Sequence, residues 1–237
     1  MSRNIANEIC NKLESNTDIT SNLISVIWFG SIHNNQDVHA KSDCDLQVVL
    51  KAPEFKSILA MNQILEDYTE VDLSIMYMQD IYDENQNLIF HDGTKSLFFI
   101  HVLAAGTPLY GENVYKDIAK TLTLEQIRPS LLVTIREYLG RLRVMATRDL
   151  AEPLAFKKYS LKMFKDILVF RGIEPANNIT RISKSSAIDA VRREYSFSEE
   201  SENILNSLLD YETGLSRIEI ANLLVDYEEI VKRICNE

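Results

Sequence analysis

The sequence predicts an α+β protein: a small mixed sheet flanked by helices over residues 1–121, then an antiparallel helical bundle over residues 122–237. Three observations carry this reading. Leu23 to Phe29, Asp43 to Leu50 and Val71 to Tyr77 are short runs with β-branched content or period-two alternation, and all lie in the first half. Apolar residues at helical spacing separate them. From about residue 122 only helical periodicity remains, in segments joined by short links, as an antiparallel bundle requires.

The elements follow in order. Ile5, Ile9 and Leu13 mark an amphipathic helix over 4–14, ended by the polar run 14–18. Leu23 to Phe29 reads as a buried strand, and Gly30-Ser31 follows at once. The polar loop 32–41 holds His33 and His39, whose spacing fits no standard metal site. A second strand covers 43–50. Pro53 suits the first turn of a helix over 53–68, with Phe55, Ile58, Leu59, Ile64 and Leu65 apolar. Val71 to Tyr77 alternates again. Residues 95–105 read as a helix in which His101 packs among apolar neighbours, and 106–111 as a connection. The second half offers helices over 130–148, 156–170 (closed by Gly172), 185–195, 198–209 and 219–235.

Bulk properties narrow the class. Hydrophobic residues at 46% and charged residues at 25% are ordinary for a soluble globular chain, and 237 residues bury a core without staples. No apolar run is long enough to span a membrane, and the first residues lack the basic flank and apolar block of a signal peptide. Cys10, Cys44 and Cys235 are widely spaced and odd in number, which argues against a disulfide framework or a zinc site. The expectation is a cytoplasmic protein without a membrane partner. A net charge of −10 disfavours nucleic acid as a partner. The charge is uneven: residues 128–193 carry 14 Lys+Arg against 6 Asp+Glu, whereas residues 1–127 carry 8 against 18. Solvated helix faces explain this as well as a basic region turned toward a polyanion does.

The chemistry concentrates near the first two strands. Strand alternation places Asp43, Asp45 and Gln47 on one face and Cys44, Leu46, Val48 and Leu50 on the other. Asp72 and Ser74 likewise oppose Val71, Leu73, Ile75 and Tyr77. Like charges this close need a counter-charge, and hard carboxylate oxygens favour magnesium or manganese. An acid within a strand is costly if buried and unpaired, and easier to understand if Asp72 shares a metal with Asp43 and Asp45. A strand that ends in Gly-Ser lets the backbone approach a phosphate. Each piece alone is common; a wet strand face explains any one of these acids.

Together the pieces resemble the nucleotidyltransferase superfamily that includes DNA polymerase beta. The resemblance rests on Phe29-Gly30-Ser31, the run from Ser42 to Val49, and Val71-Asp72-Leu73, and so covers roughly the first half. The helical second half resembles in architecture the bundles of small bacterial members, aminoglycoside nucleotidyltransferases among them, without a motif matched residue by residue. The resemblance implies an N-terminal nucleotidyltransferase fold. It implies Gly30, Ser31 and Ser42 at the nucleotide phosphates, and Asp43, Asp45 and Asp72 as catalytic ligands of two Mg2+ ions, with Mn2+ as a substitute. ATP is the implied donor. Many members carry a basic residue after the Gly-Ser, where this chain has Ile32-His33. A phosphate contact then falls to Lys41 or to the basic second half, where Lys157, Lys158 and Lys162 are candidates that a solvated helix face explains better, and Lys162 is carried as the phosphate candidate.

The expected function is metal-dependent transfer of a nucleoside monophosphate from a nucleoside triphosphate to a hydroxyl of a small acceptor, such as an aminoglycoside-like antibiotic. An acidic wall suits a cationic acceptor, and Glu112, Glu137 and Glu152 are acids that could bind it or act as a base. Two alternatives stay open: the same transfer to a protein or RNA, as in toxin and antitoxin systems, and a non-catalytic nucleotide-binding module. The helical half can also supply a homodimer interface.

Overall fold

A computed structural model describes residues 2–30, 44–82, 97–147, 153–210 and 213–236. The chain forms two compact units, Met1–Thr123 and Leu124–Glu237. The first is α+β and the second is helical, as the sequence predicts.

The first unit opens with α1 (Ser2–Ser15) and the short α2 (Thr17–Thr20), whose N-cap is Asn16. Strands β1 (Leu23–Phe29) and β2 (Cys44–Leu50) follow, then α3 (Phe55–Leu65), β3 (Val71–Tyr77) and the single turn α4 (Met78–Ile81). After them come α5 (Phe99–Ala104), β4 (Thr107–Tyr110) and α6 (Tyr115–Thr121). The strands form one sheet in the order β3-β2-β1-β4. β1 is antiparallel to both β2 and β4, and β2 is parallel to β3. A parallel pair needs a crossover, and α3 provides it.

Both faces of the sheet are covered. Ala6, Ile9 and Leu13 of α1 and Ala60 and Met61 of α3 pack with Val26, Trp28, Leu46, Val48 and Leu50 on one face. On the other, Ile100 and Leu103 of α5 and Tyr115 and Ile118 of α6 pack with Ile27, Phe29, Val49 and Met76. Two covered faces explain why β1 reads as a continuous apolar run rather than an alternating one.

The second unit contains α7 (Leu124–Thr147), α8 (Pro153–Phe170), α9 (Lys184–Glu194), α10 (Glu199–Leu205) and α11 (Arg217–Cys235). α7 and α8 run antiparallel: Arg128 lies on the Phe170 ring at one end, and Arg141 on the Tyr159 ring farther along. α7 and α11 are also antiparallel, with Arg143 paired to Glu228 and Arg136 donating to the Cys235 sulfur. Phe156 and Phe164 pack on Tyr227 at the centre.

Several boundaries differ from the sequence reading. β4 and α6 lie where the sequence reading has a connecting segment. β4 is four residues long and contains Pro108, which an edge strand tolerates because one side of its backbone needs no donor. α7 starts at Leu124 and runs through Pro129, so the proline sits in the second turn, where it forfeits one intrahelical bond without ending the helix. α11 starts at Arg217 rather than 219. Ser216 and Glu219 form a capping box there, while the exposed Ile218 breaks the apolar rhythm.

Candidate functional site

β1 ends, and β2 and β3 begin, at the same end of the sheet. In the β1–β2 register Phe29 faces Asp45. In the parallel β2–β3 register Asp45 faces Asp72, Gln47 faces Ser74 and Val49 faces Met76. Period-two alternation therefore puts Asp45 and Asp72 side by side on one face, the face that farther along packs against α5 and α6. Asp45 is half-buried and Asp72 is exposed. In the rung below them Gln47 is fully buried and Ser74 half-buried.

Gly30 completes the site from the other side. Its φ is +88°, in the left-handed region that favours glycine. A Cβ placed there would lie 1.8 Å from Asp45 Oδ2. The carboxylate thus lies over the bare glycine backbone, and no other residue leaves room for it. The turn and the first carboxylate form one steric unit, a link that spacing alone does not give.

Neighbouring groups leave the acids as the reactive oxygens. Cys44, beside Asp45, is buried, and its thiol is pushed up to about 11 by burial, with the Asp45 and Glu70 charges adding to the effect. It stays protonated and is a poor ligand in that form. The Cys44 N–H donates to the Glu70 carbonyl at 2.9 Å, tying the starts of β2 and β3 together. None of the three cysteines is in a disulfide. His101 is 5% exposed on α5, and burial holds its imidazole below the ordinary range. Its ring nitrogens have no partner among the described residues, so it is a neutral packed histidine, as expected.

The remaining sequence candidates divide. Ser31, Lys41, Ser42, Asp43 and Glu152 lie outside the described residues, as do His33 and His39. Among the described residues no group of three or more His, Cys, Asp or Glu gathers to hold a metal, so the structure brings together two of the three expected carboxylates. Both fit a hard divalent cation in donor chemistry: two carboxylates in register, one held against a glycine cradle. Glu112 is exposed, and Glu137 is ion-paired with Arg141.

In the helical unit Lys158 and Lys162 are on the exposed side of α8. Lys157 is not: it is fully buried and donates to the carbonyls of Asp210 and Thr213. It belongs neither to a solvated face nor to the phosphate candidates. Apolar spacing could not reveal this, because its partners are backbone groups some 50 residues away in sequence. Sequence reasoning also passes over the hydrogen-bonded pair of buried Gln47 and half-buried Ser74, although it places both on the acid face.

No family model and no curated protein matches the chain. Among solved structures it is similar to the spectinomycin adenyltransferase AAD(9) from Enterococcus faecialis, determined with ATP and spectinomycin. The TM-score is 0.65 at 13% identity, covering 98% of each chain. The chain therefore shares its fold with that adenyltransferase, and the likeness covers both units.

Proposed function

We propose that the protein is a magnesium-dependent nucleotidyltransferase that moves a nucleoside monophosphate, with ATP as donor, onto a hydroxyl of a small aminoglycoside-like acceptor. One observation carries this: Asp45 and Asp72 stand in register on one sheet face, with Asp45 lying over Gly30. Two like charges on adjacent strands are unfavourable unless something cationic is shared between them. The likeness of the whole chain to a spectinomycin adenyltransferase supports the same reading.

In this reading Asp43, Asp45 and Asp72 would hold the divalent ions. When bound, such ions lower the pKa of an attacking hydroxyl and stabilise the charge on the departing pyrophosphate. Gly30, with no side chain, lets a phosphate approach the backbone at the end of β1. Ser31 and Ser42 would donate hydroxyl hydrogen bonds to the triphosphate. The carboxylates orient the reacting oxygens by position, which is where most of the gain in phosphoryl-type transfer arises.

The test is pyrophosphate release from MgATP with spectinomycin and a panel of aminoglycosides, beside Asp45→Ala. Acceptor-dependent release in wild type, lost in Asp45→Ala, is the expected result. Release with no acceptor in the panel, or equal release from both proteins, would overturn the proposal. Labelling of protein or RNA alone in a lysate given labelled ATP would move the acceptor to a macromolecule.

A further inference from the structure

The rung beneath the two aspartates is polar where its neighbours are not. On the same face the next rung is Val49 and Met76; on the opposite face the flanking rungs are Leu46 with Leu73 and Val48 with Ile75. Gln47 is fully buried, so its amide must be satisfied internally or cost stability. Its Nε2 donates to the Ser74 carbonyl at 3.2 Å and to the Val48 carbonyl at 3.3 Å. Ser74 Oγ donates to Gln47 Oε1 at 2.8 Å and lies 3.5 Å from the Leu46 carbonyl. A side-chain amide and a hydroxyl thus join β2 to β3 in addition to the backbone ladder, immediately below Asp45 and Asp72.

Two aliphatic residues would fill this rung without any desolvation cost. The ladder already sets the strand register, but it leaves the roll of one strand against the next soft, and roll decides how far apart two side chains facing each other on adjacent strands stand. We propose that Gln47 and Ser74 are positioning residues: their hydrogen-bonded pair fixes the separation of the Asp45 and Asp72 carboxylates so that both reach one divalent cation. The pair is uncharged, so it orients the acids without competing for the metal or adding to their repulsion. Gln47 Oε1 accepts from Ser74 Oγ and both Nε2 hydrogens go to carbonyls, so every polar atom of the side chain is engaged between the two strands. The inference rests on the metal-dependent reading above.

Mn2+ binding to the full chain, read by the electron paramagnetic resonance signal of the free ion, tests it without turnover. Gln47→Leu and Ser74→Ala are expected to weaken Mn2+ binding by about tenfold or more, the usual effect of losing a group that orients a ligand. Ser74→Thr keeps the hydroxyl and is expected to bind as wild type does. Asn113→Ala controls for stability: Asn113 donates to the carbonyls of Leu103 and Gly106 behind α5, so its loss lowers the melting temperature with no expected change in Mn2+ affinity. Wild-type affinity in Gln47→Leu and Ser74→Ala, or an equal loss in Asn113→Ala, overturns the positioning role, as does a wild type that binds no Mn2+. Pyrophosphate release separates the two levels. Release with unchanged Mn2+ binding in the variants sinks only this inference, and a selective loss of binding without any release sinks only the transfer reaction.

Discussion

Asp45 Oδ2 occupies the space that a side chain at residue 30 would need: a Cβ there would sit 1.8 Å from it. Antiparallel pairing produces this closeness. Phe29, the last residue of β1, faces Asp45, so Gly30 immediately after it lies beside the carboxylate. Gly30 itself has a φ of +88°, which side-chain-bearing residues rarely adopt. Gly30 and the Asp45 carboxylate, both in the proposed site, are thereby built as one piece.

Gly30→Ala is accordingly expected to act on the site more than on the fold. Left-handed φ costs an alanine about 1 kcal/mol, a modest fraction of domain stability. The methyl group also forces Asp45 aside by more than an ångström, and a displacement of that size costs on the order of 10²-fold in rate. Pyrophosphate release and a thermal melt on the same sample check this. A large drop in melting temperature with activity retained in the folded fraction would contradict it.

Much of this arrangement is legible in the sequence because strand alternation is a strong rule. Asp45, Gln47, Asp72 and Ser74 all fall on the face assigned from period two, and the helices over 4–14 and 53–68 lie where apolar spacing puts them. What spacing does not convey is which strands are neighbours and in what register. The parallel β2–β3 pairing that turns two isolated acids into a pair depends on the α3 crossover, a tertiary choice. β4 is missed because four residues containing a proline give no period to read, and its pairing with β1 is supplied from outside the segment. Lys157 is misread because a buried ammonium and a solvated one have the same spacing on a helix.

Asp72→Asn should separate function from stability. Asp72 is exposed, and its like-charged neighbour across the strands is Asp45, so removing its charge relieves a repulsion that salt already screens. The expected outcome is an unchanged or slightly higher melting temperature without metal, by a few tenths of a kcal/mol at low salt, together with loss of nearly all transfer activity. A melt at low and high ionic strength, each without Mg2+, tests the sign. A clear destabilisation would show that Asp72 holds a structural contact instead.

Asp166 on α8 gives the second unit a pH dependence. It is 5% exposed, and Oδ2 has no partner among the described residues. Burial pushes its carboxyl up to about 8, against the opposing pull of Lys162 and Lys165. Between about pH 4 and pH 8 the folded chain therefore holds a proton that the unfolded chain has released, so this residue's contribution to stability falls as pH rises through that window. Asp166→Asn removes the slope. It is expected to be near neutral at pH 4 and to stabilise increasingly as pH rises, by several kcal/mol at pH 8. Urea unfolding of both proteins across this range decides it; parallel stability curves would exclude a titrating Asp166.

Lys157 fastens the chain ahead of α11 to α8. Its ammonium is fully buried and hydrogen-bonded to the carbonyls of Asp210 and Thr213, and burial holds its pKa below the ordinary lysine range. Lys157→Met keeps the length and the apolar stem but removes the donors, leaving two carbonyls without the charge-assisted bonds that satisfied them. Truncating one partner of such a buried contact costs about 2–4 kcal/mol. The fall in the urea midpoint should be accompanied by faster amide exchange around residues 213–216 before global unfolding, because the loss begins locally. Mn2+ affinity is expected to stay at the wild-type value, since Lys157 is committed to these carbonyls. A variant as stable as wild type, with exchange unchanged there, would show that the lysine's stem rather than its charge holds this segment.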